Sequence, residues 1–441
     1  MRILLIAPSA YLLGGVQDWL YMLALGLREQ GHLVTVGVPD GQFHHCDTYN
    51  QTYTGLNAKS FVNTTGTAAG RQRALKRFLL DNPADLVVGV NLGCLYEAFA
   101  NIASQLASTR LVMALHAIEA DYFADVEMYA PILDGVITTN RLTQAMVNGL
   151  QVLPEERVLY APYGVIQGAV RTNESSKTLR IAWIGRIENS QKRVSDLRPI
   201  LVELDRAKCD YRLSIAGAGP YLEELQNQLS SWTQSGKVHF EGFVPKNSVS
   251  EFLAKHDVFL ITSQWETGPI VAWEAMIAGL VVVSSEYVGS LLEKALIHNS
   301  TALLYPIGDA QAASRQLARL SSETLRQELA QTGRRLALSR YTKQASLQAW
   351  ETAFERIMKL DRPVPSRPPM SQPPQAFGRL ERILGQPLAE LLRRVLPLKP
   401  FVPNAGSEWP HARHYIQDQT AILQYARTLE TQQSETAASE A

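Results

Sequence analysis

The sequence is poor in cysteine and has no excess of either charge, and each shortage excludes a class of protein. Its three cysteines, Cys46, Cys94 and Cys209, lie far apart and form no CxxC pair. This argues against a disulfide framework or a zinc site, and predicts buried or half-buried thiols in a reducing compartment. Lysine plus arginine equals aspartate plus glutamate, at 42 each. Since no global charge attracts nucleic acid, any polyanion site must be local.

Long apolar runs are also missing. No uninterrupted apolar stretch reaches the roughly 20 residues of a membrane span. The N-terminal apolar run at residues 3–8 is too short for the core of a signal peptide and is typical of a first buried strand. The sequence therefore predicts a cytoplasmic protein, and attachment to the inner face of the membrane remains open.

Length and periodicity predict an α/β protein with two doubly wound sheets. A chain of 441 residues suggests two domains and a remainder. Apolar strands at 3–8 and 33–39 flank an amphipathic helix at 16–30, and such a βαβ unit indicates a parallel sheet covered on both faces. Further strands are predicted at 85–90, 111–115 and 135–139, and then at 179–184, 211–216, 238–240, 258–262, 280–283 and 302–304.

A polar stretch without apolar periodicity, residues 171–178, marks the predicted linker between the two halves. Residues 1–170 are therefore assigned to an N-terminal domain and residues 171–343 to a C-terminal domain. A helix at 344–360 is predicted to pack back toward the N-terminal domain.

The remaining residues, 361–441, differ in composition. They begin with a proline-rich linker at 362–374, continue as an amphipathic stretch broken by Pro387 and Pro397, and end in polar residues 431–441. We expect the linker to be extended and the polar end to be disordered.

The segment at residues 263–279 indicates a strand end, a tight loop and a helix. Pro269 suits the first helical position and Gly279 suits the cap. The start of such a helix favours an anion such as phosphate, because its N–H groups are free and its dipole is positive there. Glu266 on the loop and Glu274 inside the helix could hold different parts of a long ligand. Alternatively, they are an N-terminal charge and a solvated helix residue.

Two cations follow the first strand of the second half. Gly185 at the strand end lets the backbone approach a ligand. Arg186 and Lys192 could then place two positive charges over one diphosphate, the arginine as a planar fork and the lysine as a point charge. Solvated cations in a polar loop are the alternative interpretation.

Two features of the N-terminal half could also meet a ligand. Gly14 and Gly15 precede the first helix and could bring backbone amides to a phosphate, although they do not form the GxGxxG fingerprint of a dinucleotide site. His116 follows a strand, and the C-terminal edge of an α/β sheet is where ligands bind. A plain turn and a buried structural histidine are the simpler alternatives.

These motifs together resemble the retaining glycosyltransferases of family 4. Glu266 and Glu274 have the spacing of the family's Glu-x7-Glu signature, and the run EAMIAG that opens with Glu274 sharpens the match. Arg186 and Lys192 are similar to its Gly-Arg…Lys-Gly element, although Arg193 stands where glycine is usual. The resemblance covers about residues 1–360 and does not include the tail.

The resemblance implies the GT-B fold, in which two Rossmann-like domains face each other across a cleft, here followed by a C-terminal helical tail. It further implies that Arg186 and Lys192 neutralise the leaving diphosphate, that Glu266 and His116 orient the sugar, and that Glu274 holds the ribose. The other donor-binding positions that it implies are Gly15, Gly185, Gly217, Phe243, Val244, Gly268, Pro269, Ile270 and Val271.

The implied activity is transfer of a sugar from a nucleoside diphosphate donor, with retention of configuration. No metal or other cofactor is expected, because no Asp-x-Asp motif is present and the cations can stabilise the diphosphate. The acceptor, whether a glycan, a lipid-linked or a small molecule, is chosen by N-domain loops such as 41–65 and cannot be read. A degenerate relative that acts as a binding or scaffold subunit is the alternative, whereas the Glu-x7-Glu match disfavours an epimerase of the same shape.

The tail carries basic residues among leucines at 377–399. Such a basic amphipathic stretch could lie on an anionic membrane near a lipid-linked acceptor. A helix that packs on the enzyme or on a partner is the alternative. The basic residues concerned are Arg379, Arg382, Arg393, Arg394 and Lys399.

Overall fold

The computed structural model describes residues 1–10, 15–41, 44–90, 92–172, 178–363, 379–396 and 419–439. Gly14, most of the predicted linker and most of the proline-rich stretch lie outside these residues. The chain forms two compact units. The first contains Met1–Thr139, Thr143–Ala161 and Leu347–Ile422, and the second contains Asn140–Leu142, Pro162–Ser346 and Leu423–Ala441.

The first unit is built on seven parallel strands in the order β3-β2-β1-β4-β5-β6-β7. The strands are β1 (Arg2–Ile6), β2 (Leu33–Asp40), β3 (Lys59–Val62), β4 (Leu86–Val90), β5 (Arg110–Leu115), β6 (Gly135–Thr138) and β7 (Val158–Tyr160). The helices that accompany them are α1 (Gly15–Glu29), α2 (Cys46–Thr52), α3 (Ala68–Asp81), α4 (Gly93–Asn101), α5 (Ala120–Tyr129) and α6 (Arg141–Gly149). Every residue of β4 and β5 is buried, as expected for parallel strands covered on both faces.

The second unit is built on six parallel strands in the order β10-β9-β8-β11-β12-β13. The strands are β8 (Leu179–Ile184), β9 (Tyr211–Ala216), β10 (Val238–Gly242), β11 (Val258–Ile261), β12 (Val281–Ser285) and β13 (Ala302–Tyr305). Its helices are α7 (Leu197–Arg206), α8 (Leu222–Gln228), α9 (Ser230–Gln234), α10 (Val249–Ala254), α11 (Ile270–Ala278), α12 (Ser290–Glu293), α13 (Ala310–Arg319) and α14 (Glu323–Arg340). Short 3₁₀ helices lie at Ala103–Leu106, Ala130–Ile132, Glu155–Arg157, Val194–Asp196 and Lys246–Ser248.

Three further helices end the described chain, and these are α15 (Lys343–Lys359), α16 (Arg379–Val395) and α17 (Gln419–Ser439). α15 starts in the second unit and continues in the first, where the Trp350 ring lies 4.8 Å from that of Trp19. The Arg110 guanidinium, paired with buried Asp134 at 2.7 Å, donates to the carbonyl of Leu360 just after the end of α15. A cation at a helix C-terminus is favourable because the last carbonyl groups lack partners within the helix.

The two doubly wound parallel sheets confirm the predicted α/β class, and every predicted strand is present to within two residues at each end. Two edge strands escaped prediction. β3 has only one buried residue, and β7 is only three residues long, so neither gives the strong signal of a buried strand. β3 and α2 occupy the stretch 41–65, which was expected to consist of loops.

Three smaller expectations are corrected or confirmed. Pro269 is the cap before α11 instead of its first residue, while Gly279 ends the helix in the left-handed conformation, as predicted. The three cysteines are free, one buried and two half-buried, as predicted.

The tail also departs from expectation. Residues 431–439, expected to be disordered, are helical because they continue α17, whose Ala426 and Glu430 are buried. Their glutamine, glutamate and alanine residues are good helix formers, so polarity alone misled the prediction. In α16 the helical geometry is interrupted at Gly385, two residues before Pro387. Within the described residues, none of the helices is both long and apolar enough to cross a membrane.

Candidate active site

The strand order of the second sheet reverses between β8 and β11, and ligands of α/β proteins bind at such a switch point. Two loops leave the sheet there, the β8 loop (residues 185–193) and the β11 loop (residues 262–269). They are joined through backbone groups, since the N–H of Gln264 donates to the carbonyl of Gln191 at 2.7 Å. The Thr262 hydroxyl donates to the carbonyl of Lys192 at 2.6 Å. The two loops therefore form one rigid platform.

Lys192 and Glu266 meet on this platform. The Lys192 ammonium lies 2.5 Å from a carboxylate oxygen of Glu266, and the Ser263 hydroxyl donates to the same oxygen at 2.5 Å. The Glu266 side chain is 8% exposed and that of Lys192 is 22% exposed. The structure therefore brings together the predicted diphosphate cation and the predicted sugar carboxylate, both with little access to solvent.

Arg186 lies on the same loop but faces solvent more fully. Its guanidinium donates to the side-chain oxygen of Gln191 at 3.0 Å, and the amide nitrogen of Gln191 donates to the carbonyl of Trp265 at 3.0 Å. Gln191 thereby connects the exposed cation to the loop that carries Glu266. The arginine has donors left for a phosphate oxygen.

The shape of the β8 loop depends on Glu188, which sequence reasoning missed. Its buried carboxylate accepts N–H groups from Ser190 at 2.7 Å, Lys192 at 3.0 Å and Gln191 at 3.1 Å. Burial opposes ionisation of Glu188, but these bonds outweigh it and hold the pKa of the carboxyl below its usual value. The sequence did offer one signal for this role, namely an acidic residue whose carboxylate can accept hydrogen bonds from several successive N–H groups of the loop.

Arg193 shows why glycine is usual at its position. It has φ 48° and ψ 47°, the left-handed conformation that L-residues other than glycine disfavour. Its guanidinium makes two hydrogen bonds to Asp196, at 2.8 and 3.0 Å. Arg193 thus adopts a backbone conformation that glycine favours, and its side chain is bonded to Asp196.

Glu274 projects from the second turn of α11 and pairs with Lys246. Their side chains approach to 2.6 Å, and that of Glu274 is 10% exposed. Lys246 follows β10, next to Val244, which packs on the core, and Phe243, which is 64% exposed. Lys246 is a second residue that sequence reasoning missed, since only the fold brings it to α11.

Two glycines of the site are required for different reasons. Gly268, just before α11, has φ 105°, which L side chains rarely adopt. Gly217 has φ 137°, and a Cβ atom on it would lie 1.9 Å from the carbonyl oxygen of Gly185. Gly217 is thus needed for the close approach of the loop after β9 to the β8 loop.

Two predicted site residues, His116 and Gly15, belong to the first unit. The His116 ring is buried with its centroid 4.3 Å from that of Trp19. Burial lowers the pKa of His116 to about 3, so the imidazole is neutral at pH 7. A neutral imidazole can orient a hydroxyl group but contributes no positive charge. Gly15 is the first residue of α1.

Comparison with known proteins identifies the segment that carries the platform. Residues 170–336 match the family model of the glycosyl transferases group 1. We refer to residues 170–336 as the group 1 segment. The group 1 segment contains both loops of the platform, together with Lys246, α11 and β12.

Curated relatives of the chain are glycosyltransferases. The amylovoran biosynthesis glycosyltransferase AmsK of Erwinia amylovora is 33% identical over 117 residues, which cover 25% of this chain and 28% of that protein. The lipopolysaccharide 1,6-galactosyltransferase of Escherichia coli K12 is 24% identical over 223 residues, covering 49% and 60%. The chain thus spans less than two thirds of the length of either relative.

Solved structures with the same fold match this chain over nearly their whole length. Anabaena HepE in complex with UDP and glucose has a TM-score of 0.65 at 19% identity, and covers 80% of this chain and 99% of its own. The lipopolysaccharide outer core galactosyltransferase WaaB, in its apo form, has a TM-score of 0.64 at 15% identity, covering 80% and 99%. The chain therefore has the GT-B fold of these glycosyltransferase structures, as predicted.

Proposed function

We propose that the protein transfers a sugar from a nucleoside diphosphate donor to an acceptor hydroxyl group. The observation that carries this proposal is the ion pair of half-buried Lys192 with buried Glu266 at the switch point of the group 1 segment. A cation and a carboxylate side by side fit a ligand that joins an anionic diphosphate to a hydroxyl-rich sugar. The UDP and glucose bound by HepE support the same class of donor.

In the proposed reaction, an acceptor oxygen bonds to the anomeric carbon as the bond from that carbon to the diphosphate oxygen breaks. The acceptor proton passes to the leaving diphosphate. Negative charge grows on the diphosphate during this step, and Lys192 and Arg186 would stabilise it without a metal ion. Attack on the face from which the diphosphate leaves retains the configuration and needs no protein nucleophile.

The remaining polar groups would bind and orient the donor. Glu266 can exchange its bond to Lys192 for sugar hydroxyls when the ammonium turns to the diphosphate. Glu274, on α11, would accept the ribose hydroxyls, and exposed Phe243 offers an aromatic face for the base. His116, in the first unit, stays a predicted site residue.

A screen of donors tests the proposal. We expect the full chain to release the nucleoside diphosphate from at least one of UDP-, GDP- or ADP-linked hexoses, detected by mass spectrometry, and equally in the presence of EDTA. Loss of release with EDTA would contradict the metal-independent mechanism. If no donor is cleaved although UDP binds, the chain is instead a binding or scaffold subunit.

We also propose that α16 contacts an anionic membrane. A polar side of the helix attaches it to the first unit, where the Glu390 carboxylate pairs with Arg73 and accepts from Thr67 at 2.7 Å and Thr65 at 2.9 Å. The exposed side chains of α16 include the apolar residues Ile383, Leu388, Leu391 and Val395 and the basic residues Arg382 and Arg394. Arg393 is buried and so is not part of the predicted basic face, while Lys399 lies outside the described residues.

A helical segment that is attached through Glu390 and exposes apolar side chains together with arginines has the composition of an interfacial helix. We expect the double variant Ile383→Glu/Val395→Glu to lose co-flotation with vesicles containing phosphatidylglycerol, because it places two carboxylates on the apolar side. The matched control Gln327→Glu/Gln331→Glu adds the same charge to exposed positions of α14 and should float as the unchanged protein does. Undiminished flotation of the first variant would exclude α16 as the contact.

A further inference from the structure

α17 places a buried carboxylate against the second unit. Glu430 is 3% exposed, and its oxygens accept the backbone N–H groups of Leu291 at 2.6 Å and Gly289 at 3.1 Å. The N–H of Leu292 lies farther away, at 3.4 Å. Hydrogen bonds that amide N–H groups donate to a charged acceptor are among the stronger ones in proteins, and they are costly to leave unmade.

The amides held by Glu430 belong to residues 286–292, which comprise the stretch after β12 and the start of α12 and are here named the Gly289 loop. In this loop, the carbonyl of Val288 accepts the N–H of Glu266 at 3.1 Å, and the N–H of Val288 donates to the carbonyl of Gln264 at 3.0 Å. A Cβ atom on Gly289 would lie 2.4 Å from the backbone oxygen of Glu266. The Gly289 loop thus supports the backbone of Glu266 without an intervening side chain.

The other side of α12 is held separately. Glu293 accepts the N–H of Arg141 at 3.0 Å and the hydroxyl of Tyr341 at 2.7 Å. Removal of Glu430 would therefore leave α12 attached at its end but release the amides at its start. The expected consequence is a shift of the Gly289 loop and not the unfolding of the unit.

We propose that Glu430 is a positioning residue, which fixes the Gly289 loop and through it the carboxylate of Glu266. This inference rests on the proposed function, because it assigns Glu266 to the donor sugar. α17 lies outside the group 1 segment at 170–336, so a part of the tail completes the site of that segment. A misplacement of about 1 Å in a positioned group costs about a hundredfold in rate.

The test compares Glu430→Ala and Glu430→Gln with the unchanged full chain. We expect Glu430→Ala to lower kcat about ten- to a hundredfold, with less than about a threefold change in the KM for the donor, since Arg186 and Glu274 remain in place. Glu430→Gln should fall between the two, because its amide keeps one acceptor oxygen. The control Glu390→Ala removes the corresponding carboxylate of α16 and should leave kcat unchanged with a water-soluble acceptor.

A second readout separates this inference from the proposed function. Hydrogen exchange should speed up in Glu430→Ala at the amides of residues 286–292 and also at 263–268, whether or not the protein is active. Faster exchange together with an inactive unchanged protein would sustain the positioning role and reject the activity. An active Glu430→Ala variant with normal kcat and normal exchange at 263–268 would overturn the positioning role alone.

Discussion

Replacing Lys192 with alanine is expected to lower kcat by about a hundred- to a thousandfold, the usual cost of removing one preorganised group that stabilises developing charge. The ammonium lies 2.5 Å from Glu266 and is only partly exposed, so its charge acts with little screening. Its loss removes a counterion of the leaving diphosphate and leaves the Glu266 carboxylate without its cation. Steady-state transfer, measured with saturating donor, gives the change in kcat.

Lys237→Ala is the matched control for this experiment. Lys237 also forms a 2.6 Å ion pair, with Asp205, and it lies in the same unit on a more exposed part of the surface. We expect its replacement to leave kcat within about twofold of the unchanged protein, because Lys237 is not among the predicted site residues and exposed ion pairs contribute little to stability. If the Lys192 variant kept full activity while both variants remained folded, the assignment of the diphosphate site would be wrong.

Replacing Asp257 with alanine is expected to lower the free energy of unfolding by about 3–5 kcal/mol, the cost of breaking a buried ion pair by removing one partner. Asp257 is 3% exposed and pairs with Arg171 at 2.6 Å and with Arg180 at 3.0 Å. It also accepts the backbone N–H of Arg180 at 3.0 Å, next to the start of β8. The variant would leave both guanidinium groups without their anion, and urea unfolding at pH 7 measures the loss.

The difference in free energy of unfolding between the unchanged protein and Asp257→Ala should depend on pH in one direction. Burial opposes ionisation of Asp257, but its bonds to Arg180 and the charges of Arg180 and Arg171 outweigh burial and hold the pKa below its usual value. The stabilisation is therefore complete above the ordinary pKa of aspartate, about 3.9, and is lost as the pH falls through the lowered pKa. The gap between the two proteins should thus shrink in acid.

Glu203→Ala provides the comparison for a surface pair. Glu203 contacts Arg206 within α7 at 2.5 Å, but the arginine is largely exposed. We expect a change below about 1 kcal/mol. An equal effect of the two substitutions would show that Asp257 does not act through its buried charge.

Local pattern was enough to predict eleven of the thirteen strands in the described residues. It also singled out Lys192 and Glu266 on the platform, but not Glu188. Glu266 and Lys192 stand at strand ends within short motifs, and the chain order of the strands brings such ends together. The left-handed backbone at Arg193 could not be predicted, because arginine disfavours this conformation whereas glycine adopts it readily. The hydrogen bond from Arg193 to Asp196, which accompanies the turn, is not visible in local pattern. The burial of His116 could not be predicted either, since local pattern does not show that the ring of Trp19 packs against it.

Contacts between distant parts of the sequence explain what pattern could not predict. Glu430 and Leu291 are 139 positions apart, so no local period connects them. Lys246 meets Glu274 only because β10 and α11 belong to the same unit. Glu390 and Arg73, which form an ion pair, are 317 positions apart in the sequence. Their contact attaches α16 to the first unit, whereas composition alone did not decide whether this stretch contacts a membrane or packs on protein.

The second unit is assembled from separate stretches of the sequence, and this has a consequence for how the protein matures. Synthesis proceeds from the N-terminus, and domains fold as they emerge from the ribosome. The last strand of the second sheet ends at Tyr305, long before Glu430 leaves the ribosome. The strands of both sheets are therefore synthesised before the contact between Glu430 and the Gly289 loop can form. We therefore expect a protein cut before residue 430 to form both sheets but to lack the contact that we propose fixes the Gly289 loop.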